Sequence, residues 1–343
     1  MEQHLYKPLP FKHISEVTEE ALEYIDMRRK HEIEPLRTRW KKFNRLCNGG
    51  IEQGCIYTIV GASGSGKSSF ANMLETDLIS LNPNKNVIVL SFSFEMLSSR
   101  QVGRKISSSM RKTTAELYSS EFDLRDEEFK KYEPLWFLAE NVGGLKSAND
   151  GKAFQKIQEE AQQIAKFPIY YVDSAATVDQ IKDTIQYFQD TLAKDKWLVV
   201  MLDHTLLVRG RSDESALNII RDLQNCFINA KKVGCTSIIQ LSQMNRNIES
   251  PDRINNPTCH YPMRSDISSA DAIFQGSDVV LVIARPETLG FAVYGPHRLP
   301  VQNKIYLHIL KNREGQLAIL DFENDLAHNN IIEIERGMEL NPT

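Results

Sequence analysis

The run Gly61-Ala62-Ser63-Gly64-Ser65-Gly66-Lys67-Ser68 has the spacing GxxxxGK[ST], follows the apolar segment CIYTIV, and opens a helical pattern from Ser69 to Leu78. Glycines at these positions let backbone amides curl around a phosphate chain. The lysine reaches the terminal phosphates, and the Ser68 hydroxyl is placed to ligate Mg²⁺. Gly61 to Ser69 therefore form a candidate cradle, with ATP and Mg²⁺ as expected cofactors. A strand, a glycine-rich loop and a helix in that order require an α/β fold.

The rest of the chain agrees. From Cys55 onward, short β-rich runs alternate with longer helical ones: CIYTIV, NVIVLSFSF, FPIYYVD, KWLVVMLD, CTSIIQLS, DVVLVIA, KIYLHILK and LAILDF. Strands separated by helices predict a mostly parallel sheet covered on both faces, and wholly apolar runs such as LVVML suit buried central strands. The last two runs, split by NREGQ, predict a C-terminal hairpin. Residues 109–165, rich in charge with a helical period, predict an excursion at the sheet's rim.

Three hundred and forty-three residues give one large domain or two ordinary ones. With 41% hydrophobic and 25% charged residues, the composition is that of a soluble globular protein and excludes disorder, collagen and coiled-coil rods. No apolar run approaches the ~20 residues that span a bilayer, and the first residues lack a secretory core, so a cytoplasmic protein without membrane partners is expected. The five cysteines are odd in number and never spaced as CxxC, which reads as reduced thiols.

A net charge of −4 argues against a globally basic nucleic-acid binder, so local charge must decide that question. Eight basic residues face only Glu32 and Glu34 between Arg28 and Arg45, and the stretch after Asp321 is mostly acidic. Such runs are usually solvated faces. Residues 1–13 read as an arm. Ser15 can cap a helix whose stripe of Ile14, Val17, Ala21, Leu22 and Ile25 packs on its own domain or docks on a neighbouring subunit. The expected organisation is a helix and basic segment over 14–45, a nucleotide-binding domain over 46–326, and an acidic tail over 327–343.

Phosphate binding alone hydrolyses nothing. Asp203 ends the strand LVVML, where a carboxylate holds Mg²⁺ through water, although an aspartate there also suits a strand-to-helix turn. Glu95 ends the strand following the phosphate loop and is the candidate general base for water.

These residues resemble the RecA-like ATPase domain of DnaB-type replicative helicases. Ser93-Phe-Glu95-Met96 matches that family's Ser-x-Glu-Met segment with the catalytic glutamate. Asp203 matches its second metal-site strand, with His204 in place of the usual tyrosine. Leu241-Ser-Gln243-Met-Asn245-Arg246 is close to LSQLNR, residues 264–278 resemble SDLRxSGxIEQDAD, and Lys311-Asn-Arg313-Glu-Gly315 resembles KxRxG. The five blocks cover roughly residues 45 to 325.

The resemblance implies several roles. Gln243 senses the γ-phosphate, although an amide there also simply satisfies a strand end. Lys311 and Arg313 reach the γ-phosphate held by an adjacent subunit, a solvated basic pair being the plainer reading. Arg104 lies near the nucleotide base. Residues 14–25 act as a linker helix, and the assembly is a homo-oligomeric ring, with a hexamer expected. Single-stranded DNA is the implied partner, and a primase or loader is a further one. Where the family's DNA-facing loop carries arginine, an acidic residue and glycine, this chain has Ser268, Ser269 and Asp271. Candidate DNA contacts are therefore Arg209, Arg211, Arg253 and Arg264, in segments that follow central strands; each is equally an ordinary surface residue.

The family's additional N-terminal helical domain is not expected here. A short version of this kind suits a phage or mobile element, in a bacterial cytoplasm. The leading expectation is an ATP-driven helicase translocating on single-stranded DNA during replication. A RecA-like DNA-dependent ATPase of recombination or repair that does not unwind is the alternative, and a P-loop small-molecule kinase the remote one.

Overall fold

Apolar runs of six residues between turns are too short for buried helices, and here they become the centre of a sheet. The computed structural model describes residues 9–118, 148–210, 214–334 and 339–340. Strands β1 (Ile56–Gly61), β2 (Val87–Phe92), β3 (Ile169–Val172), β4 (Trp197–Leu202), β5 (Thr236–Gln243) and β6 (Val279–Ala284) run parallel. β7 (Lys304–Asn312), β8 (Ala318–Asp325), β9 (Asn330–Glu333) and β10 (Glu339–Leu340) are antiparallel. Among the described residues the order is β10-β8-β7-β6-β1-β5-β4-β2-β3, with β9 on β8. β1, β2 and β4 are buried along their whole length, as central parallel strands must be.

Helices α1 (Ile14–Arg29), α2 (Lys41–Leu46), α3 (Lys67–Ser80), α4 (Ser98–Met110), α5 (Thr114–Tyr118), α6 (Ala148–Ile164), α7 (Val178–Asp190), α8 (Ala216–Ala230), α9 (Pro251–Asn255) and α10 (Ala270–Gly276) complete the list. α3 buries nine of its fourteen residues, and α7 and α8 bury Ile181, Ile185, Leu223 and Phe227. The middle of the expected helical excursion, 119–147, lies outside the described residues, as does Arg211.

The chain divides into units of 1–35 and 36–343. In the first, α1 is capped by His13, whose imidazole accepts from the Ser15 amide. Ser15 is thus the second helical residue and not the cap expected of it. The stripe of Ile14, Val17, Leu22 and Ile25 is exposed.

The larger unit begins at Leu36, ten residues before the expected boundary, because the basic segment hides core residues. Trp40 is 1% exposed, stacks on Phe70 at 4.1 Å and donates its indole N–H to the Ile331 carbonyl at 3.0 Å. Truncating such a side chain to alanine costs about 3–5 kcal/mol. The neighbouring Arg39 is held by the buried Asp77 at 2.8 Å. The expected acidic tail is likewise sheet in part, since β9 and β10 both pair with β8.

Candidate nucleotide and hydrolysis site

β1 delivers the phosphate loop at its C-terminal end. Gly61 pairs with Gln243 of β5 and Ile283 of β6. A Cβ on Gly61 would lie 2.4 Å from Ser65 Oγ and 2.8 Å from the Ile283 carbonyl, so only glycine fits. Gly66 precedes α3 with φ +100°, a left-handed conformation that favours glycine. Lys67 Nζ donates to the carbonyls of Gly61 and Ala62 at 2.9 and 3.0 Å, and burial lowers its pKa. Ser65 Oγ is buried without a partner among the described residues. Loop, lysine and α3 thus present the donors a polyphosphate requires.

β4 and β2 are neighbours, which brings Asp203 and Glu95 together. β2 stops at Phe92, so Glu95 stands on the turn beyond the strand rather than at its last residue. Asp203 accepts the amide N–H groups of Phe94 at 2.9 Å and Glu95 at 3.2 Å. Burial raises the Asp203 pKa, while those two amides pull it the other way. The turn is also held from behind. Ser93 donates to the Met96 carbonyl, Gln101 Nε2 donates to Ser93 Oγ at 2.5 Å, and Asn72 of α3 donates to the Gln101 carbonyl at 3.1 Å.

Ser68, Asp203, Arg104 and Glu75 line one cavity of about 20 Å³, the size of a single water. No group of three or more His, Cys, Asp or Glu able to hold a metal occurs among the described residues. Mg²⁺ bound here would therefore take Ser68, Asp203, phosphate oxygens and water, a donor set that suits this hard ion. Arg104 stands beside Glu95, whose charge opposes the effect of burial on the guanidinium. Behind it lies an ion pair missed from sequence: Lys105 and Glu75 meet at 2.5 Å, both side chains 1% exposed, and Tyr171 donates to Glu75 at 2.9 Å.

Gln243 closes β5 between the loop and Asp203. The Leu206 amide donates to His204 Nδ1 at 3.3 Å, which leaves the proton on Nε2 to donate to Gln243 Oε1, also at 3.3 Å. A second wall of the cradle was also invisible in the sequence. A Cβ on Gly66 would meet Leu326 at 3.2 Å, so the turn between β8 and β9 sits over the start of α3.

Lys311 and Arg313 lie at the opposite end of the sheet. The Arg313 amide donates to the Asp278 carbonyl, and the Asp278 amide donates to that of Ile56, at the start of β1. Five residues at about 3.3 Å each separate that row from Gly61. The Arg313 side chain is 54% exposed and 3.4 Å from Asp278.

The DNA candidates divide. Arg209 and Arg264 are exposed, the latter 2.6 Å from Asp271. Arg253 is not a surface cation: it meets the buried Asp266 at 2.5 Å and donates to the carbonyls of Cys259 and Tyr261 at 2.9 and 2.8 Å. Each of its three guanidinium nitrogens holds the 253–266 segment, so it is less free to meet a DNA phosphate than Arg209 or Arg264.

With this geometry in place, the family profile described as "DnaB-like helicase C terminal domain" matches residues 35–330, almost the span of the larger unit. The chain belongs to the DnaB-like helicase C-terminal domain family. It is therefore an ATP-hydrolysing helicase domain. A solved structure titled as an "ATPase Domain" is similar at 16% identity and TM-score 0.70, with 92% of this chain and 98% of that chain covered. "The Structure Of A DnaB-Like Replicative Helicase And Its Interactions With Primase" gives the same identity and TM-score over 92% of this chain and 66% of that chain. At this identity both likenesses show the fold. No curated protein matches. No helix among the described residues is long and apolar enough to cross a membrane.

Proposed function

We propose that this DnaB-like helicase domain assembles head to tail into a ring, expected to be a hexamer, and translocates on single-stranded DNA during replication in a bacterial or host cytoplasm. In each site the amides of Gly61 to Ser69 and the Lys67 ammonium bind and orient the triphosphate. Mg²⁺ held by Ser68 and Asp203 would neutralise the developing phosphate charge. Glu95, fixed through its own amide by Asp203, takes a proton from the attacking water. The Gln243 amide reports loss of the γ-phosphate through its bond to His204.

The observation that carries the reading is the separation of Arg313 from its own loop. Arg313 stands a full strand length from Gly61, farther than an arginine side chain spans, and is exposed, with Lys311 two residues before it on β7. In this reading a second copy supplies the phosphate that they reach. A finger supplied this way stabilises transition-state charge and is worth about 10³ or more in rate. Arg209 and Arg264 remain the described candidates for DNA phosphates, so affinity should fall steeply with salt. A primase or loader is a further proposed partner.

The test is ATP turnover with and without single-stranded DNA, then strand displacement on a forked duplex. Stimulation with displacement is expected. Stimulation without displacement would favour a DNA-dependent ATPase that does not unwind.

A further inference from the structure

Residues that the sequence scatters over fifty positions meet at one aromatic ring. Phe274, in the last turn of α10, packs with the apolar cluster of Ile273, Val280 and Val282. The Arg264 guanidinium lies 5.0 Å from its ring centre and the Lys311 ammonium 5.2 Å. That ammonium also donates to the Phe274 carbonyl at 2.5 Å, and Arg313 donates to the next carbonyl, Gln275, at 3.2 Å. At the other end of the same segment the Ser268 amide donates to the Gln243 carbonyl at 3.0 Å. One short stretch, 268–275, thus touches Gln243 of the subunit's own site and both basic residues at the opposite end of the sheet.

An aromatic face attracts a cation through its quadrupole, and the attraction strengthens as water is excluded. Lys311 is half-buried, so the ring and the carbonyl beneath it replace much of its hydration and restrict where the ammonium can point. Leucine would fill the same space without that face.

The geometry points to Phe274 as the positioning residue for Lys311. Its ring and carbonyl seat the ammonium, and the turn from Ser268 to Gln275 ties that seat to Gln243. The γ-phosphate sensor of one site and the cation offered to the next therefore share one support. This rests on the reading that Lys311 acts across a subunit interface.

The test compares Phe274→Leu, Phe274→Tyr and Lys311→Ala in the assembled full chain, measuring kcat, KM, nucleotide Kd and thermal unfolding. Phe274→Leu is expected to lower kcat roughly three- to tenfold, with Kd unchanged and only a small drop in unfolding temperature. Phe274→Tyr, which keeps the face, should retain wild-type kcat. The double variant Phe274→Leu/Lys311→Ala should be no slower than Lys311→Ala alone. Wild-type kcat in Phe274→Leu beside a slow Lys311→Ala would overturn the inference and leave the trans reading standing, as would equal losses in the leucine and tyrosine variants or additive losses in the double variant. Wild-type turnover in Lys311→Ala would overturn both.

Discussion

The main-chain N–H of Glu95 donates to Oδ2 of Asp203 at 3.2 Å, so the residue proposed to activate water is placed by the residue proposed to hold the metal. The two residues follow neighbouring strands, and the β2–β4 register brings the Glu95 main chain to the Asp203 carboxylate. Binding and chemistry are carried by different groups. Lys67→Ala should abolish nucleotide binding. Glu95→Gln should bind normally and lose about 10²–10⁴ in turnover, a general base's usual contribution. Equilibrium binding of a fluorescent nucleotide beside single-turnover hydrolysis separates the two; wild-type turnover in Glu95→Gln would reject its role.

Arg253 provides a test of structure against DNA contact. Removing one partner of a buried pair leaves the other charge unsatisfied, at a cost of about 3–5 kcal/mol. Denaturant unfolding of Arg253→Ala should show a loss of that size, while the salt slope of DNA binding in the folded protein stays unchanged. A shallower slope with unaltered stability would restore the phosphate role.

Mixed assemblies test action between subunits. Arg313→Ala supplies an intact Glu95, and Glu95→Gln supplies an intact Arg313. Combined in equal amounts and allowed to exchange, the two inactive proteins should regain activity at about a quarter of sites, as expected for random neighbours in a head-to-tail ring. No recovery at any ratio would count against trans action.

His308 predicts a pH dependence of stability. It is fully buried in β7, bonded to the Tyr294 hydroxyl at 2.7 Å, and burial pushes its pKa down to about 3. The unfolded chain takes up this proton near pH 6.5, whereas the folded protein refuses it until about pH 3. Between those values the unfolded state holds more protons, so stability falls as the solution is acidified. The contribution is about 2 kcal/mol between pH 6.5 and 5. A glutamine at position 308 removes it, and unfolding curves across that range should be flatter for His308→Gln than for wild type. Parallel curves would show that His308 binds its proton equally well in the folded and unfolded states, against the lowered pKa.

The central strands were legible because a parallel strand covered on both faces has to be mostly apolar: β4 and β6 are wholly so, and β1 and β2 are interrupted only by Thr58, Gly61 and Ser91. The loop, Asp203, Glu95 and Gln243 were legible because phosphate chemistry fixes residue types at strand ends. Other features depended on contacts that local pattern does not encode. Trp40 and Phe43 sit among Arg37, Arg39, Lys41 and Lys42, so charge density masked a core segment whose Arg39 is answered by Asp77, 38 residues away. β9 has too few apolar residues to stand out from the acidic stretch. Arg253 looked like a surface cation because its partner, Asp266, appears beside it only after the loop folds. The meeting of Arg264, Phe274 and Lys311 needs α10 to lie against the end of β7.

The bond from Trp40 to Ile331 joins residues 291 positions apart. During synthesis the flank of α3 that Trp40 and Phe70 share stays uncovered until β9 has left the ribosome. A nascent chain holding the whole phosphate loop is thus still without its lid of Leu326 and Ile331. Stalled or prematurely terminated products that lack β9 should expose this apolar surface to chaperones and proteases, and nucleotide affinity should arise only once β9 has emerged.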